Sequence, residues 1–124
     1  MGEKKKIIGI ENNKSLIAIC KKNFKKMGVK YPTLISQDAR KVSIQKINDY
    51  KIFYLYNPFS AKIIRDFFKK NSFRYSAIIY FNPLHSDELV NLNYKCVCSK
   101  KTYRNGSSYN IFITKGLEKS FKNL

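Results

Sequence analysis

The side chains of this sequence that could do chemistry are oxygens and aromatic rings rather than a nucleophile with its base. Glu11 and Asp38 each offer a carboxylate able to accept two hydrogen bonds at once. Asn57-Pro58-Phe59 sets an amide beside a rigid turn and a flat ring, and a second Asn-Pro pair, Asn82-Pro83, follows 25 residues later. His85, the single histidine, reads as a loop residue rather than a general base. The three cysteines are Cys20, Cys96 and Cys98, and their C-x-C pair has neither zinc-knuckle nor thioredoxin-like spacing. One histidine and no clustered thiols leave a transition metal without ligands. Cys96 and Cys98, two apart on a strand, are expected to share one face as packing residues.

These groups must be held by a chain of 124 residues with 25 Lys or Arg against 8 Asp or Glu, a net charge of +17. Hydrophobic residues make up 44% and aromatics 15%, enough to bury a core, which excludes disorder throughout. Lys4-Lys5-Lys6 is followed by too short an apolar run for a secretory signal, and no apolar stretch reaches membrane-spanning length. A soluble protein in a reducing cytoplasm is the simplest setting. Of the 25 basic residues, 21 are lysine, accompanied by many Asn, Ile, Tyr and Phe, all with A/T-rich codons. Base composition can therefore produce the charge without a ligand. A polyanion-binding surface is the alternative source.

The elements alternate. Lys5 to Ile10 reads as a buried strand, and Glu11, Asn12 and Asn13 can start the helix after it. Leu16, Cys20, Phe24 and Met27 fall on one helical face, and Gly28 supplies a left-handed stop. Thr33 to Ser36 is a second strand ending at Gln37-Asp38-Ala39, followed by a weak helical stretch from Val42 to Ile47. Tyr50 to Tyr56, YKIFYLY, predicts a central strand covered on both faces. Ser60 can cap a helix whose stripe is Ile63, Ile64, Phe67 and Phe68. Ser76 to Phe81 is another strand, and Ser86-Asp87-Glu88 opens another helix, with the serine as its cap. Tyr94 to Cys98 and Tyr109 to Ile113 flank Asn105-Gly106, the strongest hairpin signal in the chain. From Leu117 the tail reads as a frayed helical turn. The fold class is α/β, with a mostly parallel sheet, helices on both faces, and residues 1–124 forming one partial domain.

With acids after the first two strands, Asn-Pro-Phe after the third, and a closing hairpin, the chain resembles a class I S-adenosylmethionine-dependent methyltransferase, a partial Rossmann-like fold, read from the family's second strand to its last. GIENNKSLIAICKKNFKKMG is similar to the acidic strand end and following helix, LISQDA to the adenine-contacting segment, and FYLYNPF to the motif ending the fourth strand. The resemblance implies S-adenosylmethionine as cofactor. Glu11, with Asn12 beside it, would take the ribose hydroxyls, and Asp38 with the backbone of Ala39 would take the adenine. Asn57, Pro58 and Phe59 would form the catalytic segment, Asn57 beside the methyl donor and Phe59 stacked on a flat, unidentified acceptor. The second proline of the common Asn-Pro-Pro-aromatic form is absent.

The family's first strand and glycine-rich loop have no counterpart here, which implies a fragment that need not be active alone, or a partner chain supplying the missing part. In the family order 3-2-1-4-5-7-6 that strand lies between those ending at Glu11 and Tyr56. Direct pairing of these two, or self-association, is expected in place of an open gap, because unpaired buried backbone groups cost about 1 to 3 kcal/mol each. The competing function is a basic, non-enzymatic nucleic-acid-binding module in which exposed rings such as Tyr103 or Tyr109 stack on bases.

Overall fold

The computed structural model describes residues 6–30, 32–45, 50–56, 59–101 and 107–123. They fall into two compact units, residues 1–42 and 43–124.

The first unit is a βαβ element: β1 (Ile8–Glu11), α1 (Lys14–Lys26) and β2 (Thr33–Ser36), then a 3-10 turn at Ala39–Lys41. The two strands are parallel and pair from Ile8 with Thr33 to Glu11 with Ser36. Asn13, in extended conformation, starts α1 by accepting the Ser15 and Leu16 N–H groups on its side chain at 2.9 and 3.3 Å. Gly28 ends it at φ +66°, a left-handed conformation that glycine adopts without strain. At Gly9 the backbone lies so close to Leu34 that an added Cβ would stand 2.9 Å from its Cδ2.

The apolar face read from the helix is not the covered one. Ile17 is the buried residue of α1, whereas Leu16, Cys20, Phe24 and Met27 line an open depression with Ile19 and Asn23. Periodicity finds an apolar stripe, but the strands beneath decide which flank of it is covered. The weak helix expected from Val42 to Ile47 is also corrected: the helical turn comes earlier, at Ala39–Lys41, because Asp38 caps it, and Val42 is already extended. Residues 46–49 lie outside the described residues.

The second unit contains β3 (Tyr50–Tyr56), α2 (Ala61–Lys70), β4 (Tyr75–Phe81), α3 (Ser86–Asn91), β5 (Lys95–Lys101), β6 (Ser108–Ile113) and α4 (Lys115–Lys122). Its sheet order is β3-β4-β6-β5, with β3 parallel to β4, and β6 antiparallel to both β4 and β5. That order is the 4-5-7-6 run of the family pattern, with the reversed strand in place. Phe53, Leu55, Ile78, Tyr80 and Phe112 form the covered face, with Ile64, Phe67 and Phe68 of α2 and Leu89 of α3 completing the core. Phe53 meets Phe68 and Phe67 edge to face, with ring centroids 5.1 and 5.9 Å apart. Ser60 caps α2 as read, its hydroxyl accepting the Ile63 N–H.

Four expectations are corrected here. YKIFYLY forms its strand but is covered on one face only, with Tyr50, Ile52, Tyr54 and Tyr56 exposed on the other. Among the described residues β1 pairs with β2 and β3 with β4, in separate sheets. Three of the four residues on the open face are tyrosines, whose hydroxyls can meet water, and the fourth is Ile52. A bulge between Cys96 and Cys98 sets Cys96 opposite Phe112 and Cys98 opposite Ile111, so the two cysteines stand on opposite faces. Finally, the tail is a capped two-turn helix, because the Thr114 hydroxyl accepts the Leu117 N–H, while α3 starts at His85 without a side-chain cap and Ser86 donates instead to the Pro83 carbonyl. Asn105-Gly106 lies outside the described residues, but the hairpin strands it was read to join are present.

Candidate functional site

Glu11 is the last residue of β1 and stands opposite Ser36, the last of β2. Asp38 follows two residues later, and the Gln37 N–H donates to the Glu11 carbonyl at 3.2 Å, which holds the two strand ends together. Both carboxylates thus sit at the carboxyl edge of one parallel pair, where open α/β sheets take ligands. The Glu11 Oε1 accepts the Asn13 N–H at 2.9 Å, and a carboxylate has acceptor sites for about four hydrogen bonds, so capacity remains for hydroxyl donors. Asn12 lies in the exposed bend between Glu11 and the helix cap.

Asp38 is more heavily engaged. Its Oδ1 accepts the Arg40 backbone N–H at 2.9 Å, and the Arg40 guanidinium reaches both oxygens, the shortest contact being Nη2 to Oδ2 at 2.6 Å. These bonds from Arg40 hold the carboxyl at a pKa of about 2. Ala39, beside it, is buried. A ligand amine could use Asp38 only by displacing the guanidinium. Arg40 is the residue that reading the sequence missed, although its position two after an acid that follows a strand and caps a turn is the signal for it.

On the second unit, Asn57 and Pro58 lie outside the described residues. Phe59 is half-buried and packs on Phe67 of α2, ring centroids 6.5 Å apart, so its ring is already used in packing. His85 starts α3. Among the described residues no three His, Cys, Asp or Glu groups gather as a metal site, the three cysteines are free thiols, and no helix is long and apolar enough to cross a membrane.

No family model and no curated protein matches the sequence. Solved structures do match it by fold. Magnesium protoporphyrin IX methyltransferase from Synechocystis PCC 6803, solved with bound SAM, superposes with a TM-score of 0.67 at 8% identity over 89% of this chain and 60% of that one. Precorrin-6y C5,15-methyltransferase from Geobacter metallireducens gives 0.59 at 17% identity over 89% and 66%. An rRNA methylase from Streptococcus thermophilus gives 0.55 at 10% identity over 88% and 73%. The chain therefore has a partial Rossmann-like methyltransferase fold, and it spans less than two thirds of the first two of these enzymes.

Proposed function

We propose that the first unit is an adenosine-binding half-site of S-adenosylmethionine-dependent methyltransferase type. The observation that carries this reading is the placement of both acids at the carboxyl edge of one parallel pair, Glu11 in register with Ser36 and Asp38 two residues beyond it. Glu11 can accept where a pair of ribose hydroxyls donate, and it retains capacity for both. The backbone of Ala39 would meet the adenine edge, and Asp38 its amino group once Arg40 swings aside. When bound, the cofactor supplies an electrophilic methyl on a sulfonium. Asn57, Pro58 and Phe59 are proposed, from the resemblance alone, to contact a methyl acceptor of unidentified class, where alignment of donor and acceptor would be the main catalytic contribution. The fold likeness and the residue order support the reading.

Calorimetry with S-adenosylhomocysteine tests it. Binding that Glu11→Ala and Asp38→Ala both weaken is the expected result, and absence of heat at millimolar ligand would end the proposal for this chain.

A further inference from the structure

The open face of the second sheet carries a row of rings that packing does not explain. Along β3, Phe53 turns under α2 and Leu55 is buried, whereas Tyr54 and Tyr56 stand on the opposite face, 62% and 65% exposed. The strand register sets Tyr56 beside Phe81 of β4, and Phe81 beside Tyr109 of β6. Ring centroids are 5.4 Å apart from Tyr54 to Phe81, 6.3 Å from Tyr56 to Phe81, and 5.4 Å from Phe81 to Tyr109. The result is one aromatic row across three strands. On β5, exposed Lys100 pairs with Tyr109 and ends the row with a positive charge.

Two observations indicate what covers this face. The first is the choice of ring. Ile52 is also exposed on the open face, but a codon bias toward A and T supplies Phe and Tyr alike, so it cannot sort the rings of β3, with Phe53 on the covered face and Tyr50, Tyr54 and Tyr56 on the open one. Tyrosine suits a surface that is wet part of the time and apolar the rest. The second is charge. Residues 43–124 hold fourteen Lys or Arg against five Asp or Glu. A second copy of the chain would bring like charge to the contact, whereas a polyanion is drawn to it.

We propose that Tyr54, Tyr56, Phe81 and Tyr109 form a stacking platform for single-stranded nucleic acid, with Lys100 meeting a backbone phosphate. Every base has a flat face, so stacking on such a row tolerates any sequence, and a duplex hides those faces inside itself. The platform uses no residue of the first unit and stands or falls apart from the adenosine reading.

The chain has no tryptophan, so its near-ultraviolet emission comes from its nine tyrosines, three of which stand in the row. The full chain is titrated with a short uridylate oligomer and with a duplex of equal length, at low and at raised salt. The expected result is quenching by the single strand, weaker binding of the duplex, and affinity that falls as salt rises. Tyr54→Ala and Tyr56→Ala should each lower affinity about five-fold or more, while Tyr54→Phe and Tyr56→Phe keep it. Circular dichroism checks that each variant folds, and Lys100→Ala, at an exposed position, should reduce the salt dependence. Equal affinity for duplex and single strand, or alanine variants that bind as well as the parent, would overturn the platform and leave charge alone. Absence of binding at low salt overturns it outright. A dimer in light scattering that Tyr54→Ala dissociates would overturn it in favour of a second copy on the same face.

Discussion

Asn71 is a buried polar side chain whose removal should cost more than its size suggests. It is 1% exposed at the end of α2. Its Oδ1 accepts the Ile44 backbone N–H at 2.8 Å, which ties the segment leading into β3 to the helix, and its Nδ2 donates to the Phe67 carbonyl at 3.0 Å. That carbonyl also accepts the Asn71 backbone N–H, at 2.8 Å, so it keeps a partner in any variant. In Asn71→Ala the Ile44 N–H loses its acceptor in a partly buried place, which costs about 1 to 3 kcal/mol, and the lost Nδ2 bond adds about 1 kcal/mol. A loss of about 2 to 4 kcal/mol is large against a domain stability of about 5 to 15 kcal/mol. With a urea m-value of about 2 kcal/mol per molar, the unfolding midpoint should fall by about 1 to 2 M, read by circular dichroism or tyrosine emission. Asn71→Asp keeps the acceptor but replaces the donor with a buried carboxylate facing the Phe67 carbonyl, and should be at least as destabilising. A loss below about 0.5 kcal/mol in Asn71→Ala would show that the Ile44 N–H does not depend on this side chain and would refute the reasoning.

The Asp38 carboxyl is held at about 2 by hydrogen bonds from Arg40, below its unfolded value of about 3.9. Its contribution to stability is therefore fully present above about pH 4 and is lost as pH falls toward 2. A carbon-detected titration should place its midpoint near 2 in the parent and close to the ordinary carboxylate range in Arg40→Ala, and an unchanged midpoint would remove the guanidinium as the cause. Gly116, in the first turn of α4, offers a test of sign. Helix propensity alone would make Gly116→Ala stabilising by about 1 kcal/mol. A Cβ there would collide with the Arg74 carbonyl oxygen, a backbone atom that cannot step aside. Thermal unfolding should show a net loss of about 1 to 3 kcal/mol, and a rise in midpoint would mean the approach is looser than described.

Much of the local structure follows from adjacent residues. Asn13 and Ser60 begin helices because their short polar side chains reach the next free N–H groups, and Gly28 ends one because it can take φ +66°. Thr33–Ser36 and Tyr50–Tyr56 are apolar runs bounded by turn residues, and both strands have the limits read from them. Glu11 and Asp38 were legible as candidates because an acid after a strand falls on the carboxyl edge of a parallel pair. What they touch was not: the Arg40 guanidinium folds back on Asp38 through a side-chain rotamer that composition and periodicity do not specify.

Which side of an element is covered depends on groups far away in the chain, and there tertiary structure decided. Ile17 rather than Leu16 is buried because of how α1 lies over its two strands. A single extra residue in β5 turned Cys96 and Cys98 to opposite faces, since side chains alternate along a strand and a bulge resets the count. Thr114 caps α4 and also bonds the Ser76 N–H and the Arg74 carbonyl, 38 and 40 residues away. Apolar spacing along the sequence by itself determined that YKIFYLY is a strand. Only the folded sheet, by laying α2 against Phe53 and leaving Tyr54 and Tyr56 in water, decided that one face is core and the other a surface.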